Sequence, residues 1–199
     1  MTISQKSGTA ALAWAAVILL CLGFGTWQIG QGLYIKAKAE LAQVLLERAW
    51  QRTLIDGKPH KAWPWADTWP VAKLDIPALG QSRIVLSNAS GEALAFGPGH
   101  LLGSPLPGNR GTTIIAGHRD THFAFLRELK SDDAVILTTA HGTGRRYIVG
   151  AMEIVNADNS HIDPHTGTGI ALVTCYPFDA RERGPLRYIV FATPVPDAS

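Results

Sequence analysis

The chain has 199 residues, with 18 Lys and Arg against 16 Asp and Glu, a net charge of +2, and 46% hydrophobic residues. This composition provides enough apolar surface for a core, so it excludes an intrinsically disordered chain and fits one globular domain with a short appendage. A near-neutral sequence without a dense Lys/Arg cluster lacks the charge that nucleic-acid binding requires, so no nucleic-acid partner is expected.

The appendage is the N-terminal segment. No charged residue occurs from Ser7 to Ile35, and the apolar run from Ala10 to Trp27 would measure about 27 Å as a helix. This length nearly spans a bilayer core, and aromatic residues suited to the membrane interface lie in or near the run: Trp14, Trp27 and Tyr34. A cleaved signal peptide is the alternative, but the run is long for one and no convincing cleavage site follows it.

We therefore expect residues 1–35 to form a cytoplasmic tip and an uncleaved transmembrane signal anchor. The chain would be a single-pass protein of the cytoplasmic (inner) membrane, with its N-terminus inside and its main domain on the periplasmic or extracellular side. Lysines flank the apolar run on both sides, so charge alone does not fix this orientation.

Residues 36–69 are expected to form a juxtamembrane helix followed by a linker. Apolar side chains recur at helical spacing between Tyr34 and Leu54. The stretch from Asp56 to Val71 contains three Pro and three Trp, which disfavours a regular element. This composition indicates an extended linker that lies against the main domain.

The main domain, residues 70–199, is rich in short strand-forming runs. Clusters of Gly, Pro, Asn and Asp separate these runs, which read VAKLDIP, SRIVLS, GTTIIAGH, AVILTTA, RRYIVGAMEIV, GIALVTC and LRYIVFATPV. Between them, THFAFLRELK at 121–130 predicts a short helix. About seven or eight strands without alternating helices indicate an antiparallel barrel or sandwich.

The chain has two cysteines in different settings. Cys21 lies inside the apolar run, where it behaves as a small hydrophobic residue. Cys175 is the only thiol of the exported part of the sequence. An unpaired cysteine in an oxidising compartment either pairs between molecules or is kept as a reactive group.

Cys175 shares its position at a strand end with two other polar residues. His118 follows the apolar run GTTIIAG, and Arg187 opens the last run, LRYIVFATPV. Taken singly, these residues fit a turn histidine, a buried inert thiol and a solvated edge cation. Together they could supply a nucleophile, an acid–base partner and an oxyanion donor, although chain order does not show that they converge.

The blocks around these residues resemble the sortases, which are membrane-anchored cysteine transpeptidases. PGNRGTTIIAGHRDTHFAFL is similar to the family's segment around its catalytic histidine, LVTCYPF to its cysteine strand, and LRYIVFA to its arginine strand. The resemblance extends from Val71 to Val195. The sequence motif GHRDTHF and the compact chain with a single membrane span are most similar to the Gram-negative, proteobacterial-type branch.

The resemblance implies a closed antiparallel β-barrel of about eight strands with one or two short helices, in which residues 70–199 are the catalytic domain. Cys175 would attack a backbone carbonyl in a C-terminal sorting motif of a secreted protein, similar to Leu-Pro-x-Thr-Gly. His118 would protonate the departing amine and then deprotonate an incoming amine nucleophile, while Arg187 would stabilise the developing negative charge. This thioacyl chemistry needs no metal and no cofactor.

Three further residues are predicted to bind substrate: Thr174, Asp120 and His100. Each has a structural alternative, because a regular strand turns Thr174 away from the neighbouring cysteine, Asp120 suits an Asx turn, and His100 suits a plain loop. His118 and His122 have the spacing of a helical metal pair. Since His118 lies at a strand end, no metal site is expected.

The loop from Asn156 to Gly169 lies where sortases recognise the sorting motif, and its ADNSHIDP is similar to a family pattern. Two other functions stay open. A cysteine peptidase or hydrolase would release the product to water without transfer, and a non-enzymatic envelope barrel would bind a peptide while Cys175 stays buried. Product analysis with an added amine separates the first from a transpeptidase, and the thiol reactivity of Cys175 separates the second.

Overall fold

The computed structural model describes residues 6–180, 182 and 184–196. One continuous helix, α1, runs from Lys6 to Asp56, so the expected span and the expected juxtamembrane helix belong to a single element. Among the described residues, the stretch Val17–Asp56 is long and apolar enough to cross a membrane, judged by length and composition. The chain divides into two compact units, one of residues up to 42 and one of residues from 43 onward.

The last turns of α1 pack on the strands of the second unit. Leu46 and Trp50 lie one helical turn apart on the same face, and each is 1% exposed. They form an apolar cluster with residues from later in the chain: Ile84, Leu86 and Ala93. The side chain of Gln43 also donates a hydrogen bond to the carbonyl oxygen of Phe96 over 2.8 Å. These contacts fix the end of the helix to the strands.

The Trp/Pro-rich linker forms no regular element from Gly57 to Trp69. Thr68 is buried, and its hydroxyl shares a hydrogen bond of 3.1 Å with the hydroxyl of Ser87. The Trp63 ring packs edge-on against Phe96, with ring centroids 4.8 Å apart. The linker is held to the barrel by these side-chain contacts and by a backbone hydrogen bond of 2.8 Å from the N–H of Ser87 to the carbonyl oxygen of Trp69.

Eight strands follow: β1 Pro70–Ile76, β2 Gln81–Leu86, β3 Gly99–His100, β4 Thr112–Ala116, β5 Ala134–Thr139, β6 Gly144–Asn156, β7 Gly169–Cys175 and β8 Leu186–Pro194. Short 3-10 turns lie at Pro77–Leu79, Ala93–Ala95 and Ala124–Arg127. The strands close into a barrel in the order β1-β2-β3-β4-β7-β8-β6-β5. The predicted closed barrel is confirmed.

The barrel is mixed rather than wholly antiparallel. β4 pairs with β7 in parallel, with Ala116 opposite Val173, and β2 meets β3 in parallel where Leu86 is opposite Gly99. The other neighbouring strands are antiparallel. A strand-forming run in the sequence indicates the length and burial of a strand, but the direction of its pairing depends on the connection to its neighbour. β5 and β6 lie between β4 and β7 in the chain, and this long connection allows β4 and β7 to run parallel.

Two local features differ from what the sequence predicts. β3 is two residues long and lies in a Gly/Pro-rich segment, so no strand pattern marks it. The segment 121–130, expected to be a short helix, contains one 3-10 turn, Ala124–Arg127. The buried residues of that segment surround the turn instead of forming one helical stripe: Phe123, Phe125, Leu126 and Leu129.

Two apolar clusters lie on opposite faces of β4, β7 and β8. The larger cluster fills the barrel interior, and these strands contribute to it Ile115, Leu172 and Val190. The smaller cluster uses the alternate positions of the same strands: Ile114, Ala171 and Ile189. Strands that are apolar on both faces leave a hydrophobic outer surface, which forms the floor of the groove described below.

Candidate active site

His118 stands just after β4, where a tight turn leaves the barrel. Its backbone oxygen accepts a hydrogen bond of 2.9 Å from the backbone N–H of Phe123. The Phe123 ring packs against Gly117, because a Cβ at Gly117 would lie only 2.7 Å from Cγ of that ring. A glycine before His118 therefore lets a buried aromatic ring support the turn, and His118 itself is half-buried.

Cys175 ends β7, the strand that runs parallel to β4. Ala116 is opposite Val173, and the backbone N–H of Gly117 donates to the carbonyl oxygen of Val173 over 3.0 Å. His118 follows Ala116 by two residues, and Cys175 follows Val173 by two residues. Because the strands are parallel, His118 and Cys175 lie at the same level of the barrel. Cys175 is a free, half-buried thiol.

Arg187, near the start of β8, is the direct antiparallel partner of Cys175, and its other neighbour is Val155 on β6. Its Nη1 donates to the carbonyl oxygens of Gly184 and Leu186 over 2.7 and 2.9 Å. Three strands thus bring the predicted catalytic residues to one end of the barrel, which chain order alone did not establish. We call this set the end row: His118, Cys175 and Arg187.

A groove of ≈ 840 Å³ reaches the end row at Arg187 and extends over the outer face of the barrel. Apolar side chains of β4, β7 and β8 form its floor: Ile114, Ala116, Val173, Ile189 and Phe191. The loop that joins β6 to β7 forms one wall through Asn159, Ser160, His161 and Ile162. The predicted recognition loop, 156–169, therefore borders a groove that reaches Arg187, the strand partner of Cys175.

Residues 74–195 match the family model of the sortase domain. The chain belongs to the sortase family. It is 32% identical over 120 residues to Sortase D of Bacillus subtilis (strain 168), and this match covers 59% of the chain and 60% of that relative. The chain thus spans less than two thirds of the length of this curated relative.

Solved sortase structures share the barrel. Sortase A from Corynebacterium diphtheriae has a TM-score of 0.59 at 28% identity, covering 68% of this chain and 64% of its own. A Clostridium perfringens Sortase D5 transpeptidase has a TM-score of 0.62 over 78% of this chain and 99% of its own, and at 19% identity this likeness shows the fold. Sortases are cysteine transpeptidases that act on sorting-motif substrates and amine nucleophiles.

One contact beside His118 in this sortase was not predicted from the sequence. The Nη2 atom of Arg119 donates to the carbonyl oxygens of Ala180 and Glu182, the latter over 2.9 Å. Both acceptors lie in the loop that joins β7 to β8. Arg119 therefore links the His118 turn to the segment between Cys175 and Arg187.

An aromatic cluster holds the same loop of the sortase barrel: Tyr176, Phe178 and Tyr188. The Phe178 and Tyr188 ring centroids are 5.3 Å apart. The guanidinium of Arg127 lies 5.0 Å from the Phe178 ring centroid and forms an ion pair of 3.2 Å with Asp179. Burial raises the pKa of Tyr188, so its phenol remains neutral at physiological pH.

The three predicted substrate-binding residues lie outside the groove lining found among the described residues. Thr174 is 2% exposed, and its hydroxyl donates to the carbonyl oxygen of Gly117. His100 is 3% exposed, and its Nε2 lies 3.1 Å from the carbonyl oxygen of Pro105. Asp120 is exposed on the turn after β4. Their contact with substrate stays a prediction.

His122 follows His118 by four residues but bonds elsewhere, with its Nε2 lying 3.4 Å from the carbonyl oxygen of Ala95. Burial lowers the pKa of His122 and the charges of Arg83 and His118 act in the same direction, while the hydrogen bond to Ala95 and the charge of Asp120 oppose them. Within the part of the chain that the structure describes, no group of three or more His, Cys, Asp or Glu side chains could hold a metal ion.

Proposed function

We propose that this sortase is a membrane-anchored cysteine transpeptidase with Cys175, His118 and Arg187 as its catalytic residues. It cleaves a sorting motif similar to Leu-Pro-x-Thr-Gly near the C-terminus of a secreted protein and transfers that protein to an amine. The end row is the observation that carries the proposal, because the turn after β4 and the strand pair β7 and β8 bring an imidazole, a thiol and a guanidinium to one end of the barrel, which the groove reaches at Arg187.

In the first half-reaction, Sγ of Cys175 attacks the backbone carbonyl carbon of the motif and a C–S bond forms. Negative charge develops on the carbonyl oxygen, beside the guanidinium of Arg187. The C–N bond then breaks as His118 delivers a proton to the departing amine. The products are a thioester on Cys175 and a C-terminal fragment with a free amino group.

In the second half-reaction, the amine nucleophile attacks the thioester carbon and His118 accepts its proton. The C–S bond breaks, Cys175 leaves as a thiolate, and the thiolate and imidazolium are regenerated. Arg187 again faces the oxyanion. Both of its hydrogen bonds to described residues use Nη1, which leaves Nη2 and Nε as donors for the substrate oxygen.

Membrane anchoring is part of the proposal. Apolar side chains along the helix before residue 43 are exposed and would contact lipid: Leu19, Leu20, Leu22 and Phe24. We place the N-terminus inside, the single pass in the cytoplasmic membrane, and the barrel on the periplasmic or extracellular side. Assignment to the Gram-negative, proteobacterial-type branch rests on the sequence motif GHRDTHF and belongs to the same proposal.

Mass spectrometry of the purified full chain in detergent tests the chemistry. The chain is incubated with a pool of Leu-Pro-x-Thr-Gly peptides in which x is varied over all standard residues. We expect an adduct on Cys175 with the mass of the N-terminal peptide fragment, and added triglycine should convert it to a ligated product. Cys21→Ala is the matched control, since it removes the other thiol and should still form the adduct.

Each other outcome has a defined meaning. Equal labelling of the wild type and Cys175→Ala would overturn the proposed mechanism. Hydrolysed product alone, even with triglycine present, would favour the peptidase alternative. A folded chain whose Cys175 reacts with neither peptide nor iodoacetamide would favour the non-enzymatic barrel.

A further inference from the structure

A second row of side chains lies one step inside the groove from the end row. Its members are opposite one another on four strands and all line the groove: Glu153, Ile189, Val173 and Ala116. Directly opposite residues of neighbouring strands place their side chains on the same face. The second row therefore presents one carboxylate beside three apolar side chains.

The charge of Glu153 is not neutralised within the described structure. The ion pairs found among the described residues join other groups: His60 with Asp56 and Arg127 with Asp179. Arg187, the cation of the end row, directs Nη1 to the carbonyl oxygens of Gly184 and Leu186. Both acceptors precede Arg187 in the chain, whereas the second row follows it along β8, so these bonds draw the guanidinium away from Glu153.

The spacing of the two rows matches an extended peptide. Two strand residues rise about 6.6–6.8 Å, and an extended peptide advances by the same amount over two residues. A substrate whose scissile carbonyl lies at Cys175, with its preceding residues along the groove, passes Glu153 two or three residues before the scissile bond. At that point it has moved away from the positive charge of Arg187.

We propose that Glu153 determines specificity by selecting sorting sequences with Lys or Arg two or three residues before the scissile bond. This inference rests on the proposed function, because it assumes a peptide acylated at Cys175. A long basic side chain can lay its methylene groups on Ile189 and Val173 and place its charge against the carboxylate. An acidic side chain at the same position is repelled by the exposed carboxylate.

Matched peptides test this selectivity on the full chain. Each peptide carries Lys, Gln or Glu at one of the three positions before the scissile bond and is otherwise identical. The measurement is kcat/KM for acylation of Cys175 by each peptide. At each varied position, the value for the Lys peptide is divided by the value for the Glu peptide. For the wild type we expect Lys to exceed Glu by about fivefold at one position, because Glu153 is exposed and exposed charges have modest effects. High salt should reduce the ratio.

Charge variants connect the ratio to Glu153. Glu153→Gln should bring the Lys-to-Glu ratio close to one, and Glu153→Lys should reverse it. Glu92→Gln makes the same charge change at an exposed site outside the groove lining and should leave the ratio unchanged. Binding of the same peptides to Cys175→Ala, followed by fluorescence anisotropy, should show the same order.

The outcomes separate this inference from the function beneath it. Cys175-dependent acylation without a Lys preference at any position overturns the inference and leaves the proposed function intact. A Lys preference that survives in Glu153→Gln also overturns it. Failure of every peptide to acylate Cys175 overturns both the proposed function and the selectivity that depends on it.

Discussion

The hydroxyl of Thr174 donates a hydrogen bond of 2.7 Å to the backbone carbonyl oxygen of Gly117. Thr174 precedes the proposed nucleophile, Cys175, and Gly117 precedes the proposed acid–base residue, His118. The bond lies beyond the last residue pair of the parallel ladder between β4 and β7. This buried side-chain bond and the backbone bond from Gly117 to Val173 therefore set the spacing of the two strand ends that carry the proposed catalytic residues.

Replacing Thr174 by Val should reduce both stability and activity. Loss of the hydroxyl leaves a buried carbonyl without this donor, which costs about 1–3 kcal/mol of unfolding free energy. Movement of the strand ends should lower kcat/KM about tenfold or more, because reacting groups tolerate little displacement. Urea denaturation and peptide acylation measure the two effects. Thr174→Ser keeps the hydroxyl and should restore both, and an unchanged kcat/KM in Thr174→Val would limit the bond to stability.

Arg119 should act as a positioning residue for the loop between β7 and β8. Arg119→Gln loses the guanidinium whose Nη2 reaches both Ala180 and Glu182. Arg119→Lys keeps the charge, but its shorter side chain lacks the planar group that directs Nη2 at both carbonyl oxygens. We expect kcat to fall about tenfold in both variants with a smaller change in KM, since the groove floor is untouched. Steady-state kinetics with the sorting-motif peptide separate the two parameters.

Arg127→Gln is the matched control for Arg119, because Arg127 contacts the same loop through Phe178 and Asp179. Its ion pair is exposed, with relative side-chain exposures of 42% and 91%, and such pairs contribute about 0–1 kcal/mol. We expect a change in kcat below about threefold on this energy scale. Equal losses in the Arg119 and Arg127 variants would mean that general loosening of the loop, rather than the link to His118, governs turnover.

Arg187→Ala should slow the acylation step more than it weakens peptide binding. Removal of one oxyanion donor costs about 10²–10³ in kcat, and Arg187→Lys should recover part of it because it keeps the charge but not the fork. Single-turnover acylation gives the rate, and peptide affinity in a Cys175→Ala background gives the binding. A loss confined to affinity would show that Arg187 holds the peptide in its ground state and does not stabilise the oxyanion.

The sequence predicted much of the barrel because burial leaves a pattern in short strands. The runs ending at Ala116, Cys175 and Pro194 are apolar at alternating or successive positions, and each forms a strand. The parallel pairing of β4 with β7 was not predicted, because side-chain pattern records which face is buried and not which way the neighbour runs. β3, at Gly99–His100, is too short to leave a pattern.

The site was predicted unevenly for a related reason. Cys175, His118 and Arg187 carry distinctive chemistry within family motifs, and the structure places them in one row. Arg119 and Glu153 are common surface residue types. The partners of Arg119 lie 61 and 63 residues away in the chain, and the neighbours of Glu153 in the groove lie on other strands. Only the folded structure shows that Arg119 contacts the loop between β7 and β8 and that Glu153 lines the groove.

Trp50 should contribute strongly to the stability of the unit from residue 43 onward. It is 1% exposed and packs against Ile84 and Leu86 on the barrel. Trp50→Ala removes a large buried side chain and leaves a cavity, which costs about 3–5 kcal/mol. Urea denaturation followed by circular dichroism measures the loss. Ile55→Ala, at a site in the same helix that is 85% exposed, should change the free energy of unfolding by less than about 0.5 kcal/mol.

His122 should make the barrel less stable below neutral pH. Burial lowers the pKa of His122 in the folded chain, with Arg83 and His118 adding to the shift, whereas an unfolded histidine has a pKa of about 6.5. The unfolded state then binds more protons, so the contribution is present above pH 6.5 and is lost as the pH falls below it toward the folded pKa.

His122→Gln isolates this titration, because Gln can still donate to the carbonyl oxygen of Ala95 but carries no ionisable group. The free energy of unfolding in urea should decline less steeply between about pH 7 and pH 5 in the variant than in the wild type, since other titrating groups are common to both. Parallel curves for the two proteins would show that protonation of His122 is accommodated in the fold. The stability of the wild type should depend more steeply on pH, because the half-buried site beside Arg83 favours the uncharged imidazole of His122.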